Sequence, residues 1–86
     1  MNIREILAIN LIRLRRAKRL SQEALAHEAR IDRTYISLLE RRLNAASIDV
    51  VDRLARAIGV EAADLLKPPL PTGREKKKSL RSRNAQ

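Results

Sequence analysis

The stretch from Ser21 to Arg41, SQEALAHEARIDRTYISLLER, constrains this chain more than any other. Its apolar residues fall into two short helical registers broken by a turn. Leu25, Ala26 and Ala29 share one face of a helix predicted over 22–29, and Ile36 and Leu39 share one face of a second over 33–41. Ser21 and Asp32 stand immediately before the two helices, where a side-chain oxygen can accept from free backbone N–H groups. Ile31 is placed to plug the angle between them, and the small Ala26 lets the two backbones approach closely. Two helices crossing steeply over so short a turn make a helix-turn-helix unit, whose second helix can enter a DNA major groove.

The flanking sequence reads as support for that unit. A first helix is predicted over 3–18, with Ile3, Leu7, Leu11 and Leu14 as its buried stripe. Ile6, Ile9 and Ile12 form a second apolar row, which is either a broader buried face or a surface for another protein. Arg13, Arg15, Arg16, Lys18 and Arg19 crowd the end of this helix, where cations suit the negative end of the dipole. After a loop over 42–46, Ser47 caps a helix whose stripe is Ile48, Val51, Leu54, Ala55 and Ile58, and Gly59 stops it in a left-handed conformation. A short helix over 61–66 carries Leu65 and Leu66, and Pro68 and Pro69 forbid its continuation. There is no internal repeat and no strand-like alternation. The expectation is all-α: a compact five-helix domain over 1–66, then a basic tail over 67–86 with too little apolar content to order itself.

Composition narrows the chemistry. The 86 residues include no cysteine and one histidine, which leaves no disulfide, thiolate metal site or histidine cluster, so no metal or cofactor is expected. His27, Asp49, Asp52, Glu61 and Asp64 read as solvated side chains, and no nucleophile–base pair or phosphate-cradling glycine loop is present, so an enzyme is not expected. No stretch approaches the about 20 apolar residues of a membrane span, and the expected location is cytoplasmic. The net charge of +9 suggests a polyanionic partner. Its distribution tempers that reading, because 1–66 hold 12 Lys and Arg against 9 Asp and Glu, whereas 67–86 hold 7 against 1.

Several motifs carry a family resemblance. Leu20-Ser21-Gln22 precedes Leu25-Ala26; Asp32-Arg33-Thr34-Tyr35-Ile36-Ser37 opens the second motif helix, which ends Leu39-Glu40-Arg41; Leu54-Ala55, Ala57-Ile58-Gly59-Val60 and Leu65-Leu66 close the domain. In these the chain resembles the lambda-repressor-like, or XRE-type, helix-turn-helix regulators of bacteria and phages. Asp-Arg-Thr-Tyr-Ile-Ser looks especially like the controller proteins of restriction–modification systems. The resemblance implies double-stranded DNA as partner, a bacterial or phage-encoded chain and a nucleoid association. It also exposes departures: the family often has glycine where Arg19, Arg30 and Arg42 stand here, and proline near Ala46. An L-residue in a left-handed turn costs roughly 1–2 kcal/mol, so these turns are either strained or differently shaped.

Carried onto matching positions, the resemblance makes Arg33, Thr34, Ser37 and Leu38 candidates for base contact. Arginine can donate a bidentate pair to guanine, and threonine can bond a base or touch a thymine methyl; the plain alternative is a solvated surface. Gln22, Tyr35, Arg41, Arg42 and Asn44 are the candidates for phosphate contact, with Tyr35 equally readable as structural. Arg15 and Glu40 match a family ion pair that would hold the second motif helix against the first helix. One such helix covers only a few base pairs, so the leading expectation is a homodimeric transcription regulator on a palindromic operator, joined through Leu65, Leu66 and apolar neighbours. The alternatives are an antitoxin that binds DNA and masks a toxin, with Ile6, Ile9 and Ile12 as partner surface, or a protein-binding adaptor.

Overall fold

The computed structural model describes residues 1–69, so most of the predicted tail, from residue 70 onward, lies outside the described residues. Five helices follow in order: α1 (Ile3–Ala17), α2 (Gln22–Ala29), α3 (Arg33–Glu40), α4 (Ile48–Ile58) and α5 (Ala62–Leu66). No strand occurs among the described residues. The starts are fixed by side chains, as the sequence suggests. Ser21 Oγ accepts from the Ala24 N–H at 2.9 Å, Asp32 Oδ1 from the Thr34 N–H at 3.2 Å, and Ser47 Oγ from the Val50 N–H at 3.1 Å. Each such cap contributes about 1 kcal/mol. A reciprocal cap at Asn2 and Glu5, which the sequence reading missed, starts α1 in the same way.

The core gathers the centre of every helix. Leu11, Leu25, Ile36, Leu39, Leu54 and Leu65 have essentially no exposed surface. α1 packs against α3 and α5, α2 against α3 and α4, and α4 against α5, so α3 is clamped between α1 and α2. Ala26 is buried, and Ile31 lies half-buried against the core, as the two-helix motif requires.

The first four helices end in turns with a left-handed residue, whereas α5 ends on the extended Lys67. At the end of α1 the Arg19 N–H donates to Arg16 O at 2.9 Å and the Leu20 N–H to Arg15 O at 3.0 Å, the paired bonds of a Schellman turn. After α2 the bonds run from Arg30 to His27 O and from Ile31 to Ala26 O; after α3 they run from Arg42 to Leu39 O and from Leu43 to Leu38 O. α4 closes with the Gly59 and Val60 N–H groups both on Ala55 O. The residue that makes each turn is left-handed, with φ of 59° at Arg19, 58° at Arg30, 63° at Arg42 and 89° at Gly59. The left-handed turn shape is therefore adopted despite arginine, and three of the four turns carry the strain of about 1–2 kcal/mol.

Several positions differ from the sequence expectation. Ile3 and Ile48, assigned there to buried stripes, are exposed, Ile48 by 87%. Both sit in the first turn of a helix, beyond the reach of the neighbours that cover the later turns. Leu65, assigned to a dimer surface, is a core residue with no exposed area, whereas Leu66 is exposed. The row of Ile6, Ile9 and Ile12 offers no open partner surface, because Ile6 is buried and the other two are half-buried. Asn10, inside that row, is fully buried. Its Nδ2 donates to the carbonyls of Leu65 at 2.9 Å and Lys67 at 2.8 Å, and its Oδ1 accepts from Arg13 Nη2 at 3.1 Å. It ties the chain leaving α5 to the middle of α1.

Candidate nucleic-acid interface

α3 divides cleanly into two faces. Ile36 and Leu39 point into the core, and Arg33, Thr34, Ser37, Leu38 and Arg41 follow one another along the opposite side at helical spacing. Arg33 and Thr34 are exposed, and Ser37 and Leu38 are half-buried. The Asp32 carboxylate caps the helix, so the charged group nearest Arg33 in sequence is already committed to a backbone N–H.

Glu40, the last residue of α3, is turned inward onto Arg15 of α1. Arg15 Nε donates to Glu40 Oε2 at 2.7 Å and Nη2 to Oε1 at 3.0 Å, a two-pronged pair whose side chains are only 9% and 6% exposed. Arg15 Nη1 also donates to the Leu20 carbonyl at 2.8 Å, so one guanidinium links α1, the segment before α2, and α3. Gln22 Nε2 donates to Glu40 Oε1 at 2.9 Å. This bond does not exhaust Gln22, because an amide nitrogen carries two hydrogens and the second can still face an anion. The sequence pairing of Arg15 with Glu40 is present; the participation of Leu20 and Gln22 was not foreseen.

The remaining candidates separate. The Tyr35 hydroxyl donates to the Ala45 carbonyl at 3.0 Å, so its hydrogen anchors the loop after α3 rather than remaining available to a phosphate, whose oxygens only accept. The other role read from sequence, a contact to phosphate, would require this bond to open. Arg41, Arg42 and Asn44 are exposed in that loop, and Arg42 lies 3.6 Å from the Glu5 carboxylate, a half-exposed pair worth little in water. Among the described residues no group of His, Cys, Asp or Glu could hold a metal, and no helix is long and apolar enough to cross a membrane.

A second surface lies away from α3. Ile3, Ala46, Ile48, Val51, Ala62 and Leu66, with the carboxylates Asp49 and Asp52, line a largely apolar hollow of about 460 Å³ formed by the starts of α1 and α4 and by α5. It continues into a hollow of about 310 Å³ that adds Leu7 and Ala45.

A capped helix tethered by a buried ion pair, with polar and cationic residues outward and a second helix before it across a tight turn, is the arrangement of a helix-turn-helix DNA-binding regulator. The family model described as Helix-turn-helix matches residues 11–65, and the chain belongs to that family. It is 40% identical over 68 residues to a Neisseria hypothetical transcription factor of Neisseria meningitidis, a match covering 79% of this chain and 64% of that protein. It is 39% identical over 66 residues to Control protein C.BamHI of Bacillus amyloliquefaciens, covering 76% of this chain and 82% of that one. Among solved structures it resembles the restriction-modification controller protein C.AhdI from Aeromonas hydrophila, with a TM-score of 0.70 and 35% identity, covering 72% of this chain and 94% of that one.

Proposed function

We propose that this protein is a sequence-specific transcription regulator that binds a two-fold operator as a homodimer, with α3 in the major groove. The observation that carries the reading is the division of α3: its inner face is locked by Ile36, Leu39 and Glu40, and its outer face presents Arg33, Thr34, Ser37 and Leu38. In this arrangement Arg33 reads guanine, Thr34 and Ser37 bond neighbouring bases, and Leu38 meets a thymine methyl. Gln22, Arg41, Arg42 and Asn44 hold the phosphate backbone and set register. The likeness to two control proteins makes a restriction–modification gene pair the first place to look for its operator. The test is in vitro selection of bound DNA followed by mobility-shift titration. Arg33→Ala is expected to weaken binding by about 1–3 kcal/mol and relax the preference at one base pair. Unchanged affinity would refute base reading by this helix.

The homodimer rests on the apolar hollow. Exposed Ile3, Ile48 and Leu66 give a small domain a connected apolar patch, and a patch near a two-fold axis can cover itself in a second copy. Two copies so joined would present two α3 helices to successive major grooves, about 34 Å apart. Leu66 keeps the interface role expected of it, and Ile48 stands in for the buried Leu65. Ile48→Glu, which changes no core residue, is expected to shift the mass in sedimentation equilibrium toward monomer and weaken operator binding. A dimer mass unchanged by the substitution would move the interface elsewhere.

A further inference from the structure

Three of the four left-handed turns that end helices carry arginine, and one carries glycine. All four are followed by an aliphatic residue, in Arg19-Leu20, Arg30-Ile31, Arg42-Leu43 and Gly59-Val60. Gly59 shows what such a turn asks for, a residue without a Cβ at positive φ. Arginine meets no steric need there and adds only a long cation. The three cations are not placed alike. Arg42 has Glu5 within 3.6 Å, whereas Arg19 and Arg30 pair with no carboxylate among the described residues. Arg30 stands at the far end of α2, with Glu28, Arg53 and Arg56 in a cleft between α2 and α4. Arg19 stands in the turn before α2, at the opposite end of that helix from Arg30, and directly before the segment where Gln22 and Leu20 meet the Arg15–Glu40 pair. Arg41 and Arg42 follow Glu40, the partner of Arg15, in the chain. The neighbouring Lys18 is directed elsewhere: its Nζ lies 3.7 Å from where a Cβ on Gly59 would stand, against the end of α4.

We propose that Arg19 is a further contact to the DNA phosphate backbone, with its strained backbone retained for the exposed charge it places in the turn that leads to Gln22. The proposal rests on the reading of α3 as a DNA-binding helix. Its mark is a trade between two measurable quantities. Removing the side chain frees the turn and stabilises the fold, and it also removes one cation from a polyanion. A merely structural residue would move stability alone.

The experiment uses the full-length chain on an operator fragment obtained by selection, with wild type, Arg19→Gly, Arg19→Lys and Arg30→Gly. Thermal unfolding and the dependence of log affinity on log salt are measured for each. Arg19→Gly is expected to raise Tm by about 4 °C and to make the salt slope shallower by about 0.9, a loss of about fivefold in affinity near physiological salt. Arg19→Lys keeps the charge and should keep the slope. Arg30→Gly relieves the same strain and should raise Tm similarly with the slope of the wild type. A wild-type slope in Arg19→Gly, an equal loss of slope in Arg30→Gly, or a fall in Tm on Arg19→Gly would each overturn the proposal. A wild type that selects no DNA sequence would overturn the DNA reading itself and this proposal with it. Selective wild-type binding with an unchanged Arg19→Gly slope would overturn this proposal alone.

Discussion

The Arg15–Glu40 pair should behave as a buried pair, strongly coupled yet replaceable as a unit. Its guanidinium makes three hydrogen bonds, two to Glu40 and one to the Leu20 carbonyl, and the carboxylate takes a fourth from Gln22. With side chains 9% and 6% exposed, neither charge can turn to water when its partner is lost. Removing one partner of such a pair costs about 3–5 kcal/mol. A domain of this size has only about 3–10 kcal/mol of stability in total. Arg15→Met and Glu40→Leu should therefore each leave the protein close to unfolding. The double variant removes both charges and fills the space with apolar atoms. It should recover most of the loss, because a buried ion pair and a well-packed apolar pair are of similar stability. Urea unfolding followed by circular dichroism at 222 nm, read as a double-mutant cycle, should give a coupling of at least about 2 kcal/mol. A coupling below about 0.5 kcal/mol is what an exposed pair gives and would refute the burial argument. The double variant should also bind DNA less tightly than the wild type, since Gln22 and the Leu20 carbonyl lose the partners that orient them.

Asn10→Ala leaves the carbonyls of Leu65 and Lys67 without their donor in a buried site. It should destabilise the fold by about 2–3 kcal/mol in urea titration, and a change under about 0.5 kcal/mol would show that α5 docks by its leucine alone. Asp64 carries the pH prediction: the Glu61 N–H at 2.9 Å, then Lys67 at 3.1 Å, favour its charged form and lower its pKa below the usual carboxylate value. A lowered folded pKa gives stability that is present above the unfolded value and lost as pH falls through the folded one. Asp64→Asn should accordingly be less stable than wild type at neutral pH and equal to it in acid, and a constant difference across that range would contradict the assignment.

What the sequence made legible was whatever depends on near neighbours. The caps at Ser21, Asp32 and Ser47, the break at Gly59 and the stop at Pro68 are local chemistry, and with the apolar stripes they place all five helices with ends displaced by a residue or so. The Arg15–Glu40 pair was legible through resemblance, since 25 residues separate the partners and no periodicity joins them. Asn10 was not. A polar residue within an apolar row reads as surface until the carbonyls 55 and 57 residues away are known to meet it. Tyr35 was open between two roles for the same reason, because its acceptor is a loop carbonyl with no sequence signature.

The apolar face shows a deeper limit. Periodicity reports that a residue seeks burial, and says nothing about which chain provides it. Ile3 and Ile48 continue the stripes of α1 and α4 by one turn and are therefore read as core, yet the monomer leaves both uncovered. Leu65 and Leu66 are adjacent and alike, and a rotation of about 100° between successive helical positions sends the first into the core and the second to the rim. Asn10 helps hold α5 in that seat through its two bonds to the carbonyls of Leu65 and Lys67. The same buried amide thus supports the element whose Leu66 borders the hollow proposed to join two copies. Asn10→Ala should then impair operator binding more than its cost in stability explains, at temperatures where the variant remains folded. If the folded fraction accounts for the whole loss, Asn10 supports the core and has no hold on the interface.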